Sequence, residues 1–327
     1  MALIRKHPWL TAIVLAVFVA IAAYALLSRS APDKKQIYVF LPSVENPFWL
    51  DVREGVEREA KALGPAYDVR IVTTASTDGS DQIDQMSTAI ARGQVDGVVL
   101  APTNDRAPAP LVAQLNRANK PVVLIDTDLN AEAAQQVDAH WDAFIGSDNR
   151  LGGQMAAKTI IDALAGTSGA KSVLLLKGSY VHQSAIDRAE GFIGAAKPAL
   201  RIVERSGEWS KQTANEITAS QFSREPLSAI FASNDEMALG AVAALRKLNV
   251  PQARWPIIIG FDATADAQTA IRDGYMFASI RQQAEEMGAN GLRKLIALIE
   301  GRASSDPKTK TLVKVDVFTK SNLPKSR

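Results

Sequence analysis

Asp126, Asn234, Asp262 and Gln282 each stand at or just past the end of a short apolar run, namely PVVLI (121–125), LSAIFA (227–232), PIIIGF (256–261) and MFASI (276–280). Asn46, Phe48 and Trp49 follow the run IYVFL (37–41). Arg188 follows KSVLLLK (171–177) through a loop, and Trp209 follows LRIVER (200–205). Asp, Asn, Gln and Arg can each present two hydrogen-bonding positions in one plane, matching the spacing of adjacent hydroxyls. A carboxylate that accepts from a hydroxyl makes a charge-assisted bond, stronger than a neutral one. The three aromatic rings would offer apolar faces to the C–H surfaces of a sugar ring. This set suits an uncharged, polyhydroxylated guest. A phosphate-bearing one would call for a glycine-rich loop or several cations.

Any one of these residues has a plainer reading. An Asp after a strand is commonly a helix cap, and Asp235, in Asn234-Asp235 before EMALGAVAALRKL, is read that way. A lone Trp is usually core. The functional reading rests on convergence, because all of these residues map to one edge of the elements that carry them.

Those elements alternate regularly. Apolar runs at 37–41, VRIVT (69–73), GVVLA (97–101) and 121–125 are separated by amphipathic stretches such as LDVREGVEREAKAL and SDQIDQMSTAIARG. The rhythm restarts after a bridge near AFIGSDN (143–149). Helices are expected over 150–165, 185–197, 211–223, 235–248, 264–273 and 284–301. Continuous Val/Ile/Leu runs alternating with helices predict an α/β fold with parallel strands buried on both faces, in two similar halves. Ligands of such sheets bind beyond the carboxyl ends of the strands.

The chain has 327 residues, 47% of them hydrophobic and none of them Cys, which excludes a disulfide-stapled or disordered class. Arg5 and Lys6 precede the uncharged stretch 8–28, whose core is WLTAIVLAVFVAIAAYALL. A basic start before an apolar run is an export signal. Ala23-Tyr24-Ala25 offers a cleavage site, yet this apolar run of 19 residues approaches the roughly 20 that span a bilayer. Residues 1–30 are therefore read as a signal peptide or membrane anchor. The body is expected outside the cytoplasm, soluble after cleavage or tethered by residues 9–27. The leader holds three basic residues and no acidic one; removing these from 37 basic and 35 acidic leaves 34 against 35, a net of −1. Such a body lacks the positive excess of a nucleic-acid binder.

Enzymatic signatures are missing. The body holds only His140 and His182, with no HExxH, GxSxG, GxGxxG or GxxxxGK[ST] motif. The segment from Asp126 to Asn130 begins like a calcium loop but has Ala131 at its sixth position and Val137 at its twelfth. No catalytic residue, metal or cofactor is expected.

The segments ENPFWLDVREGVEREAKALG (45–64), SDNRLGGQMAA (147–157), DRAEGF (187–192), NDEMALGAVAAL (234–245) and GFDATADA (260–267) resemble the ribose-type periplasmic sugar-binding proteins, the type I solute-binding family of ABC transporters. The similarity runs from about 36 to 318. It implies two Rossmann-like lobes with parallel sheets joined by three crossing segments, preceded here by the N-terminal apolar helix. One lobe would comprise 36–144 plus 283–312 and the other 145–282 plus 313–327. The resemblance also implies that Asn46, Phe48, Trp49, Asp126, Arg188, Trp209, Asn234, Asp262 and Gln282 bind the ligand, a monosaccharide or polyol. Thr127 stands where ribose binders carry Arg, and Pro42 where they carry Ser, so a different pentose, a hexose or a cyclic polyol is expected. The implied partner is a permease with separate ATPase subunits, served by a monomeric binding protein. A membrane sensor is the alternative partner.

Overall fold

The computed structural model describes residues 34–76, 80–169, 171–306 and 310–323. The expected leader lies outside these residues. Among the described residues no helix is long and apolar enough to cross a membrane.

The first lobe begins with β1 (Lys35–Leu41), α1 (Pro47–Ala62), β2 (Tyr67–Thr73), α2 (Asp81–Ala91), β3 (Gly97–Leu100), α3 (Ala109–Arg117), β4 (Val122–Ile125), α4 (Ala131–Gln136) and β5 (Ala143–Ser147). The second follows with α5 (Asn149–Ala163), β6 (Ser172–Lys177), α6 (Gln183–Ala196), β7 (Arg201–Ser206), α7 (Lys211–Arg224), β8 (Ala229–Ala232), α8 (Asp235–Lys247), β9 (Ile257–Asp262), α9 (Ala265–Arg272) and β10 (Ala278–Gln282). The chain then returns with α10 (Ala284–Ile299) and β11 (Lys310–Val313), and crosses again into β12 (Val315–Thr319).

Two six-stranded sheets result, ordered β2-β1-β3-β4-β5-β11 and β7-β6-β8-β9-β10-β12. Every pairing is parallel except β10 with the edge strand β12. Strands such as VVLI (122–125) and SVLLLK (172–177) are buried along their whole length because helices cover both faces. Each sheet is sandwiched between two apolar clusters, around Val39 and Leu124 in the first lobe and around Ile230 and Phe231 in the second.

The sheets locate the crossings. β5 pairs with β4 over Ala143–Ile145 and with β11 as far as Ser147, so the chain leaves the first lobe after Ser147 and not at 144. The expected boundary falls inside a strand because AFIGS carries too few apolar residues to read as one. The second crossing follows Gln282. The third is Lys314 alone, between β11 in one sheet and β12 in the other.

Several helices start at the carboxyl edges of the strands on side-chain caps, which satisfy amides that the helix itself leaves open. Asn46 Oδ1 accepts from Phe48 N at 3.1 Å at the start of α1, and Asn234 Oδ1 accepts from Met237 N at 2.9 Å at the start of α8. Ser210 Oγ accepts from Thr213 N at 3.2 Å ahead of α7. Two of these caps, Asn46 and Asn234, are thus residues singled out from the sequence.

Candidate functional site

In each sheet the strand order reverses between the first strand and its two neighbours, and a crevice opens there beyond the carboxyl ends. The two crevices face each other across a cavity of about 770 Å³. All nine residues singled out from the sequence line it. Asn46, Phe48, Trp49 and Asp126 come from the first lobe, and Arg188, Trp209, Asn234 and Asp262 from the second; Gln282 closes β10 just before a crossing.

The backbone is strained where the cavity is built. Asp126 (φ 60°), Glu208 (φ 51°), Trp209 (φ 60°) and Asp262 (φ 116°) all adopt positive φ without being glycine. Such conformations cost about 1–3 kcal/mol each and persist only where the surroundings over-determine them. At Asp126 the turn is held by its own N–H donating to Ile145 O at 2.9 Å and by Thr127 N donating to Ile125 O at 2.6 Å. Thr127 Oγ1 donates to Asp126 Oδ2 at 2.9 Å, so that hydroxyl is already committed.

Arg188 sits on α6 and is almost wholly buried. Its Nε donates to Asn149 Oδ1 at 2.8 Å, its Nη1 donates to Ser233 O at 2.6 Å, and its guanidinium lies 3.8 Å from the centre of the Phe261 ring. Asn149, from the SDNRLGG segment, is thus the side chain that aims this arginine; the sequence reading passed over it. Asp262 Oδ1 accepts from Gln282 Nε2 at 2.6 Å. Gln282 Oε1 is buried and has no hydrogen-bond partner. Such an acceptor is costly to leave unmet and suits a hydroxyl from a ligand.

Burial dominates the electrostatics. It raises the Asp262 carboxyl well above the usual range; the Arg188 guanidinium opposes this and the Asp235 carboxylate adds to it. Burial likewise raises Asp126, against the pull of Arg188 and the Thr127 hydrogen bond. The same burial lowers Arg188, which Asp262 and Asp126 partly restore. Asp235 does not line the cavity. It accepts from Ser279 Oγ at 2.6 Å and Thr264 N at 2.8 Å, tying α8 to β10 and α9, and burial lifts its pKa to about 7. Asp235 is structural, as expected, but the cap of α8 is Asn234 and Asp235 is the helix's first residue, its carboxylate bound to other elements.

Trp49 meets Phe48 edge-on, with ring centroids 4.9 Å apart. Across the cavity the Trp209 indole packs so tightly on Gly178 that a Cβ there would overlap it. Phe48 belongs mainly to the first lobe's core, and Trp49 packs against the same cluster.

A sequence model of the periplasmic binding protein domain matches residues 37–303. The chain belongs to that family. It is 32% identical over 260 residues to the ribose import binding protein RbsB of Bacillus subtilis, covering 78% of this chain and 79% of the relative. It is 29% identical over 318 residues to the D-apiose import binding protein of Paraburkholderia graminis, covering 94% and 96% respectively. Among solved structures, an ABC transporter solute-binding protein from Agrobacterium vitis with bound D-fucose superimposes with a TM-score of 0.77 at 27% identity, covering 89% of this chain and 97% of that one.

Within this periplasmic binding domain the sequence reading missed His182, which lies between the two lobes. Its Nδ1 accepts from Trp209 Nε1 at 2.8 Å and its Nε2 stands 3.3 Å from Thr103 O. The available signal was its scarcity, one of two histidines in the body, combined with its place in the loop after β6.

Proposed function

We propose that this chain is the extracytoplasmic substrate-binding protein of an ABC importer for a neutral sugar or polyol. Asn46, Phe48, Trp49, Asp126, Arg188, Trp209, Asn234, Asp262 and Gln282 contact the ligand. The observation that carries the reading is the cavity itself: hydrogen-bonding side chains and aromatic faces from both lobes converge on it, and five carboxylates against two cations line it. That excess of negative charge disfavours phosphorylated sugars and sugar acids. Thr127 offers no guanidinium fork, and its hydroxyl is engaged by Asp126, so the hydroxyl pattern read at this edge differs from that of ribose. A different pentose, a hexose or a cyclic polyol fits.

The ligand bridges the lobes. It stabilises the closed form because only that form makes contacts on both faces, and so shifts a pre-existing equilibrium. The closed monomer, in the periplasm and either free or tethered by residues 9–27, then docks on a permease whose ATPase subunits are separate chains. No bond is made or broken. The import reading draws on the ribose and apiose import relatives and on the D-fucose complex.

A thermal-shift panel of pentoses, hexoses, polyols, sugar phosphates and nucleotides tests this. Ligand at a hundredfold excess over Kd adds about 2.7 kcal/mol to stability, which corresponds to roughly 5 °C in a protein of this size. A neutral sugar or polyol should give that shift. If only phosphorylated or nucleotide compounds move the melt, the sugar reading is wrong.

A further inference from the structure

We propose that His182 is a latch across the cleft: one imidazole ring joins the Trp209 indole of the second lobe to the Thr103 carbonyl of the first, and so favours the closed form. This rests on the sugar-binding reading above.

His182 occupies the cap position of α6, yet its ring does no capping. Its backbone carbonyl accepts from Ala185 N at 3.0 Å and Ile186 N at 3.2 Å, leaving the side chain to project into the cleft. An indole N–H can only donate, so Nδ1 must be the acceptor of the 2.8 Å bond from Trp209. The proton then sits on Nε2, which donates to the Thr103 carbonyl. A single tautomer satisfies both partners.

Both ends of this link are held. Buried Gln82 donates through Nε2 to Ala101 O at 3.0 Å and accepts from Thr103 N at 3.0 Å, which fixes the 101–103 turn of the first lobe. On the second lobe Trp209 lies against Gly178, carries the Arg188 guanidinium 5.7 Å from its ring centre, and sits at φ 60°. When the lobes part, Nε2–H exchanges the Thr103 carbonyl for water while the Trp209 bond can persist. The Thr103 bond is therefore a contact of the closed form, the kind that biases a two-state equilibrium. A net hydrogen bond of ordinary strength corresponds to about a threefold to tenfold change in the closed-to-open ratio.

The chain has no cysteine, so a pair introduced at exposed Gln135 and Ala195, one on each lobe, can carry spin labels for distance measurement in the full body. Without ligand, His182→Ala should shift the distances toward the open form. Affinity for the sugar found in the panel should fall about threefold to tenfold. His182→Gln, whose amide nitrogen can stand in for Nε2, should restore the closed population, whereas His182→Asn should not. Unchanged distances overturn the latch, including the case where affinity alone falls, since His182 would then act on the sugar directly. If no neutral sugar binds any variant, the sugar reading fails, while the ligand-free distances still decide the latch.

Discussion

Arg188 Nη1 lies 4.0 Å from Asp262 Oδ1, and both side chains are almost fully withdrawn from water. Asp262 Oδ1 is shared with Gln282 Nε2, so one carboxylate oxygen joins helix α6 to the end of β10 at the cavity wall. Breaking a buried charge pair on one side leaves the other charge uncompensated. Asp262→Ala should therefore weaken sugar binding by several kcal/mol and also lower the melting temperature. Asp262→Asn, which keeps an acceptor for Gln282, should lose less of both. Titration calorimetry alongside thermal melts checks the order; equal binding by all three proteins would remove Asp262 from the site.

Asp51 on α1 is lifted to about pKa 6 by burial, with Glu54 and Glu285 adding repulsion. A carboxyl whose folded pKa exceeds its unfolded value of 3.8 takes up protons on folding between those two values. Its charge therefore costs stability that grows as pH rises from 3.8 and is complete above about 6. The shift would equal about 3 kcal/mol for a fully shielded group, and partial exposure reduces it to about 1 kcal/mol. Asp51→Asn should raise the melting temperature by about 2 °C at pH 8 and leave it nearly unchanged at pH 4. A benefit larger at pH 4 than at pH 8 would contradict this.

Gly178 ends the β6 edge directly against Trp209. A methyl group there would overlap the indole, whose neighbouring Nε1 is held by its hydrogen bond to His182. Gly178→Ala should reduce sugar affinity about tenfold or more and, because the glycine is buried, should also cost about 1–3 kcal/mol of stability as overpacking. Intrinsic tryptophan emission should shift in the ligand-free protein, reporting the displaced ring.

The strands were legible where burial on both faces makes a run apolar throughout, as in VVLI and SVLLLK. The same rule hid β5, whose Gly146 and Ser147 interrupt the run, and it gave no sign of β11 and β12. The segment TLVKVDVF alternates like one edge strand, yet Lys314 divides it between two sheets, a change of partner that periodicity cannot report. At the cavity, residues at strand ends were legible from position alone. Arg188, set within α6, was reached only by following the loop beyond KSVLLLK, and the family resemblance gave it the same part. His182 and Asn149 escaped because their parts depend on partners 79 and 39 residues away in the chain, Thr103 and Arg188.

Helices α5 and α6 touch through two glycines. A Cβ on Gly153 would overlap the carbonyl of Arg188, and one on Gly191 would overlap the carbonyl of Arg150. Backbone atoms cannot yield as a side chain can, so a methyl group there must push the helices apart. Gly153→Ala should cost about 1–3 kcal/mol as overpacking, and should weaken sugar binding because α6 carries Arg188 into the cavity. Gly194 lies on the same α6, yet no atom stands within 4 Å of where its Cβ would be. There the substitution only reduces the freedom of the unfolded chain, so Gly194→Ala should stabilise by about 0.5–1 kcal/mol with binding unaltered. Opposite signs from the same substitution on these two touching helices, read by thermal melts and calorimetry, would establish that the glycine contact sets the position of Arg188. Matching signs would mean that helix propensity alone governs both sites.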